Sequence, residues 1–231
     1  MSLFEAILLG FIQGATEFLP VSSSGHLALG HALLGMKEPE LLFDIVLHVG
    51  TLLAIIGYYR RDVLGVITGS FQGLRDYSKS KKVEDLLAPE GMRLAILVGL
   101  ATIPTGIIGV LIGKILDPED GPSLIGPAGV CAFLILNGFI LIGNVWIKRE
   151  PEPREQPLLN IWNLGLAAAL IVGVTQGMAV LPGISRSGMT ITTALLLGVS
   201  RPDAARFSFL LSIPAILGAV VLKFDPSLFM G

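Results

Sequence analysis

The stretch QGATEFLPVSSSGH, from Gln13 to His26, sets a carboxylate, three consecutive hydroxyls and an imidazole into otherwise apolar sequence. A second stretch, QGMAVLPGISRSG from Gln176 to Gly188, repeats its plan: Gln-Gly, then Leu-Pro, then Ser and Gly leading into a new apolar segment. A hydrophobic core has no use for such a break, and here it occurs twice. The pattern predicts one site built from two related halves.

Glu17 is the first candidate, because a carboxylate inside a membrane segment is costly and usually marks function. Its plain alternative is a snorkelling or capping Glu. Gln13 lies one helical turn earlier on the same face, so both side-chain oxygens can point at one ligand or metal ion. Ser22, Ser23 and Ser24 precede Gly25 and His26, and three hydroxyls exceed what a helix cap needs. With the free N–H groups of a helix start, they suit an anionic oxygen. His26 can act as general acid or base, or orient a nucleophile; His31 and His48 have weaker claims. In the second stretch, Arg186 brings a guanidinium fork that matches phosphate oxygens, with a structural pair to Glu17 or Asp44 as its plain alternative. Gly183, Ser185, Ser187 and Thr190 complete a cradle of donors and close backbone. A carboxylate pocket facing an arginine and hydroxyl cradle suits a phosphate ester or anhydride, with a divalent metal between ligand and carboxylate.

The elements that must hold these residues are membrane helices. The chain has 231 residues, of which 52% are hydrophobic and 15% charged, with a mean hydropathy of +0.76; soluble domains carry about 25% charged residues. A net charge of -2 gives no field for nucleic acid. The single cysteine, Cys131, excludes an intramolecular disulfide and a cysteine-based metal cluster. The first basic residue is Lys37, so the start lacks the positive region of a cleavable signal and reads as part of the mature fold.

Residues 2–18 and 24–35 predict two short helices around a break at Pro20, a re-entrant hairpin. Residues 41–59 predict a span, with Asp44 and His48 on one face. Residues 60–93 read as a polar loop; Gly65, Gly69 and Gly73, spaced by four, fit either close helix contact or a flexible loop. Spans follow at 94–113 and 125–147, with Gly109 and Gly113 as a weak packing signal. A charged, proline-rich linker at 148–157 separates a first repeat, 1–147, from a second, 155–231. The second repeat holds an apolar run at 161–181, a short helix at 188–199 and a last span at 203–223. Basic residues concentrate in 60–93 and 148–157, which places both in the cytoplasm. The first hairpin then opens from outside and the second from inside. The fold class predicted is an all-α polytopic membrane protein with an inverted-topology repeat and two re-entrant hairpins. A full crossing by 161–181 is the alternative.

QGATEFLPVSSSGH and LPGISRSGMT resemble the two signature motifs of the undecaprenyl-diphosphate phosphatase family, the bacitracin-resistance type. FDIVLHVGTLLAIIGYYRR and GVSRPDAARFSFLLSIPAILGA resemble it too, so the similarity runs over nearly the whole chain. The resemblance implies an inner-membrane enzyme that removes the terminal phosphate of undecaprenyl diphosphate. Its product is the lipid carrier recycled in peptidoglycan synthesis. It also implies a divalent cation, magnesium or calcium, and a site facing the periplasm. By motif, Glu17 is the acidic catalytic or metal-binding residue and Gln13 its companion. Ser23 is the candidate nucleophile, His26 its acid/base partner, and Ser185 with Arg186 bind phosphate. Ser23, His26 or an activated water can each be the attacking group. Members of the family usually continue for two further spans, so the second repeat reads as C-terminally incomplete. The partners expected are the polyprenyl diphosphate lipid and the bilayer, with a homo-oligomer allowed. A transporter or flippase for an anionic lipid is the competing class, since broken helices in inverted repeats are common there.

Overall fold

Helix α1, Leu3–Thr16, starts at a capping box: the Ser2 side chain accepts from the Glu5 N–H at 3.3 Å and Glu5 Oε2 from the Ser2 N–H at 2.6 Å. Its 14 residues reach about 21 Å, short of a hydrocarbon core of about 30 Å. The break that follows ends at Ser22, which caps α2, Ser23–Leu33. In this computed structural model the residues described are 1–36, 41–116, 124–147, 160–161 and 164–223. The 148–157 linker lies outside them.

After α2 come α3 (Leu41–Tyr58), α4 (Arg60–Ser80), α5 (Val83–Leu87), α6 (Glu90–Leu116) and α7 (Pro127–Ile147). A second broken pair follows, α8 (Leu166–Met178) and α9 (Arg186–Leu196), and then α10 (Arg201–Lys223). Helices α6, α7 and α10 are long and apolar enough to cross a membrane, and α3 with α4 passes the same test as a pair bent by 76°. The protein is an all-α, multi-pass membrane protein. α8 has 13 residues, so it stops short of a span, as α1 does.

The sequence predicts a polar loop over 60–93, and here the structure differs: α4, α5 and the start of α6 fill that stretch. The charges outvoted the periodicity. Gly69 sits where any Cβ would press on Gly91, and Gly73 where one would press on Leu86 and Met92, so the glycine spacing serves close packing of α4 on α6. Three faces follow around α4. One buries Gly69 and Gly73; one exposes Leu64, Ile67, Phe71 and Leu74; the third carries Arg61, Gln72, Arg75 and Lys79. Asp62 pairs with Arg206 and so ties α4 to α10.

The core lies among α6, α8, α9 and α10, around Leu97, Ala101, Val172, Phe207 and Leu211. α6 and α8 come together because Gly173 and Gly177 have no side chain to hold them apart; a Cβ at either would collide with the backbone or side chains of residues 101–108. Thr105 Oγ1 lies 2.8 Å from the Gly173 carbonyl oxygen and accepts from Gln176 Nε2 at 3.3 Å. Gly10 and Gly14 hold the same places relative to Gln13 that Gly173 and Gly177 hold relative to Gln176. There the space stays open, as a groove of about 280 Å³ between α1 and α3, lined by Gly10, Gln13, Gly14, Leu47, Gly50 and Ala54.

Candidate active site

Glu17 closes the last turn of α1, and its side chain is 4% exposed. Oε2 accepts from Ser23 Oγ at 2.5 Å and from Gln13 Nε2 at 3.0 Å, while Oε1 pairs with Arg186 Nη2. A carboxylate at a helix C-terminus faces the wrong end of that helix's dipole. Two features offset this: the guanidinium charge, and the position of Ser23 and Arg186 as the first residues of α2 and α9. Glu17 therefore sits at the positive ends of two other helices.

Those two helix starts are built alike. The Ser22 hydroxyl accepts from the Gly25 N–H at 3.3 Å and the Ser185 hydroxyl from the Gly188 N–H at 3.0 Å. Ser22 Oγ lies 3.3 Å from Ser24 Oγ, and Ser185 Oγ lies 3.2 Å from Ser187 Oγ. The repeated element is Ser-x-Ser-Gly, with x the residue that reaches Glu17: Ser23 in one half and Arg186 in the other. The candidate serines thus separate by position. Ser23 is on the carboxylate; Ser22 and Ser185 are buried N-caps; Ser24 is exposed. Ser187 donates to the Leu19 carbonyl at 3.2 Å, across to the other hairpin. Thr190 is fully buried, with its hydroxyl 2.6 Å from Ser208 Oγ, so it joins α9 to α10 and makes no bond to Glu17.

Two backbone positions are unusual. Ser22 has φ 67° although it is not glycine, a conformation held by its own cap bond and its neighbours. Gly183 has φ +100°, and a Cβ there would strike the Val130 carbonyl and Phe133. His26 Nδ1 lies 2.8 Å from the Ser22 carbonyl oxygen. A carbonyl only accepts, so the proton is on Nδ1 and neutral His26 keeps its Nε2 lone pair for proton transfer. His31 Nε2 lies 3.6 Å from Asp44 Oδ1; His48 Nδ1 donates to the Asp44 carbonyl at 2.7 Å, and His48 lies within electrostatic reach of Glu17 without a hydrogen bond to it.

One residue of this region was absent from the sequence reading. Asn137, from α7 and 3% exposed, donates from Nδ2 to the Pro20 carbonyl at 3.0 Å. Its Oδ1 accepts from the Ser185 N–H at 3.0 Å. An amide inside the apolar run FLILNGFILIG is the signal that points to it.

No cluster of three or more His, Cys, Asp or Glu side chains stands close enough to hold a metal among the described residues. What Gln13 and Glu17 present is an all-oxygen pair, and Gln13 Oε1 is buried with no hydrogen-bond partner. Hard cations such as magnesium typically take one or two carboxylates and complete their shell with substrate phosphate oxygens. The residues fit a cation shared with a phosphorylated substrate.

The family described as Bacitracin resistance protein BacA matches residues 6–230. An undecaprenyl-diphosphatase of Desulfatibacillum aliphaticivorans is 46% identical over 226 residues, covering 96% of this chain and 78% of that protein. One from Alcanivorax borkumensis is 42% identical over 223 residues, covering 96% and 77%. One from Methanosphaera stadtmanae is 40% identical over 225 residues, again 96% and 77%. With Glu17, Ser23 and Arg186 gathered from two matching hairpins and the match running nearly end to end, this chain belongs to the bacitracin resistance protein BacA family.

Proposed function

We propose that the protein hydrolyses undecaprenyl diphosphate to undecaprenyl phosphate and inorganic phosphate. The observation that carries this reading is the meeting of Ser23 and Arg186 on one buried carboxylate, each from the first turn of a different hairpin. The relatives above bear the name of that activity. They do not favour the transporter class.

The chemistry follows from the donors. Arg186 holds the terminal phosphate through two parallel N–H bonds. Ser23 passes its proton to Glu17 Oε2 as Oγ bonds to the terminal phosphorus. The bridging P–O bond breaks, and its electron pair leaves on undecaprenyl phosphate. Water then attacks the phosphoserine with His26 Nε2 as base; the P–Oγ bond breaks, Glu17 returns its proton to Ser23 Oγ, and inorganic phosphate is freed. A divalent cation, magnesium or calcium, would be held by Glu17 and Gln13 and would neutralise charge on the diphosphate oxygens. The apolar groove beside Gln13 gives the first units of the polyprenyl chain a way out toward the bilayer.

The test is phosphate release from undecaprenyl diphosphate by purified protein in detergent, with and without a chelator. Release that a chelator abolishes and magnesium restores is the expected result. With label in the terminal phosphate, acid-quenched protein should carry that label, and Ser23→Ala should carry none. Unlabelled wild-type protein with normal turnover would remove Ser23 as the nucleophile and leave the attack to water or to His26, whose P–N bond does not survive acid.

The same reading places the site in the bacterial inner membrane, open to the periplasm, with the two hairpins entering from opposite faces. The three faces of α4 support it: a helix bent 76° from α3, with one apolar and one basic exposed face, suits a cytoplasmic membrane surface. In a Cys131→Ala background, an impermeant thiol reagent on intact cells should label Lys37→Cys and Asp120→Cys. It should spare Lys79→Cys, Gln156→Cys and Pro202→Cys. Labelling at position 202 with protection at 156 would mean that the chain crosses fully at α8, against the inverted repeat.

A further inference from the structure

We infer that Asn137 is a positioning residue that sets the register between the two half-sites, and so the distance from Arg186 to Ser23 and Glu17. The inference starts from backbone supply and demand. Each hairpin breaks its helix at membrane depth, and each break frees backbone groups that lipid cannot satisfy. In the first hairpin the freed groups include the Leu19 and Pro20 carbonyls; in the second, the Ser185 N–H. Ser187 answers Leu19 from across the interface. Asn137 answers both of the others at once, with its amide N–H on Pro20 and its amide oxygen on Ser185.

The side chain comes from α7, which belongs to neither hairpin. It joins residues 117 and 48 positions away. Pro20 lies three residues from both Glu17 and Ser23, and Ser185 is the residue before Arg186. The surroundings leave little room for the hairpins to slide: a Cβ at Gly25 would stand 3.0 Å from Gly183 Cα and 2.8 Å from Leu134, and one at Gly188 3.2 Å from the Pro20 oxygen. Shape lets the tips approach, but flat glycine contact has no direction. The paired amide bonds supply one. Asn137 touches neither reacting atoms nor phosphate, so it acts through the groups it aligns, and its loss should appear in kcat rather than in lipid binding.

Two substitutions separate alignment from packing. Asn137→Leu keeps the branching and heavy-atom count of Asn in a larger side chain and removes both bonds. Asn137→Ala leaves a polar void in which a water can bridge Pro20 and Ser185. Alignment predicts that Leu lowers kcat about 100-fold with KM within about threefold, a loss of the size expected for about 1 Å of misplacement, and that Ala retains more kcat than Leu. Packing alone predicts that Asn137→Val, the apolar residue nearer Asn in size, keeps wild-type kcat. Leu within threefold of wild-type kcat, or Ala below Leu, would overturn the inference. Should Asn137→Leu not be recovered folded, Asn137→Thr and Asn137→Val decide: Thr keeps a hydroxyl and should exceed Val at least threefold, and equal rates would overturn it.

The kinetic half rests on the proposed reaction, so a second readout stands apart from it. In the Cys131→Ala background, spin labels at Leu33→Cys and Leu196→Cys sit on the exposed far ends of α2 and α9. Asn137→Leu, or Asn137→Val in its place, should broaden or shift their distance distribution. An unchanged distribution would overturn the inference whatever the turnover. Failure of the wild-type protein to release phosphate would overturn the reaction and leave this measurement to decide on Asn137.

Discussion

Arg186→Lys should lower phosphate release on the order of 10³-fold while the protein stays folded and monodisperse in detergent. The lysine keeps the positive charge beside Glu17, so the electrostatic need of the buried carboxylate is still met. What it loses is the planar fork. In the structure one edge of the guanidinium is on Glu17 Oε1, and the side chain is 24% exposed where Glu17 is 4% exposed. The guanidinium is thus the more exposed partner of the pair, and its remaining N–H groups are those proposed to hold phosphate. A guanidinium can keep one edge on the carboxylate and give the other to phosphate oxygens; an ammonium is a single point that must choose. The charge that develops on the transferring phosphoryl group is what the fork stabilises, so the loss should fall on kcat more than on KM. Circular dichroism and a melting curve close to wild type, beside the lost turnover, make the case. Turnover within tenfold of wild type would reduce Arg186 to a source of generic positive charge.

The local parts of this arrangement are written in local signals. Pro20 stops α1, Ser22 and Ser185 cap the helices that follow, and Gln13 with Glu17 share a face because they are four apart. Recognising the two stretches as echoes was enough to expect one shared site, and Ser187, Gly188 and Asn137 now put the two breaks in contact. What single-chain pattern does not carry is the division of labour among like residues. Ser22, Ser23 and Ser24 are the same side chain in a row, and only the turn at Ser22, with its positive φ, sends Ser23 alone to Glu17. Thr190 sits one turn beyond Arg186, yet its hydroxyl goes to Ser208, on a helix whose placement depends on the whole core.

Two further misses have the same origin. In α4, Gly65, Gly69 and Gly73 repeat at helical spacing, but charge density alone argued for a loop. The burial that makes the helix worthwhile comes from Gly91 and Met92, on a different element. Asn137 is one polar residue in an apolar run, without a periodic partner, and both of its bonds are long-range. A side chain whose meaning lies in two distant backbone groups leaves only its own polarity as a trace. That trace is worth weighing in a membrane helix, where an unexplained amide is rarely idle.

Glu17→Gln should produce the largest and most informative loss, about 10³–10⁴-fold in turnover, because one carboxylate serves three partners. Gln keeps the shape but has a single acceptor oxygen, so of the bonds to Oε1 and Oε2 only one side is retained: the amide oxygen can accept from Arg186 Nη2, and the NH2 then donates toward Ser23 Oγ. The negative charge does not survive. Ser23 then has no base to take its proton, and Arg186 has no counter-ion at a position where both helix dipoles are already positive. Breaking a buried pair by neutralising one partner costs about 3–5 kcal/mol. The partial exposure of Arg186 should hold this case to the lower end, seen as a fall in melting temperature without loss of fold. The cation gives the second reading. If Glu17 and Gln13 hold it together, the concentration needed for half-maximal rate should rise in Glu17→Gln, and rise less in Gln13→Ala, which removes a neutral oxygen and the Nε2 bond to Glu17 but no charge. A double-mutant cycle with Arg186→Lys should be strongly non-additive, since both changes act on one ion pair. Lost turnover with an unchanged cation dependence would move the cation off Glu17 and leave it the proton-transfer role alone. Near-normal turnover would sink the site itself, because Glu17 is the carboxylate on which Ser23 and Arg186 meet.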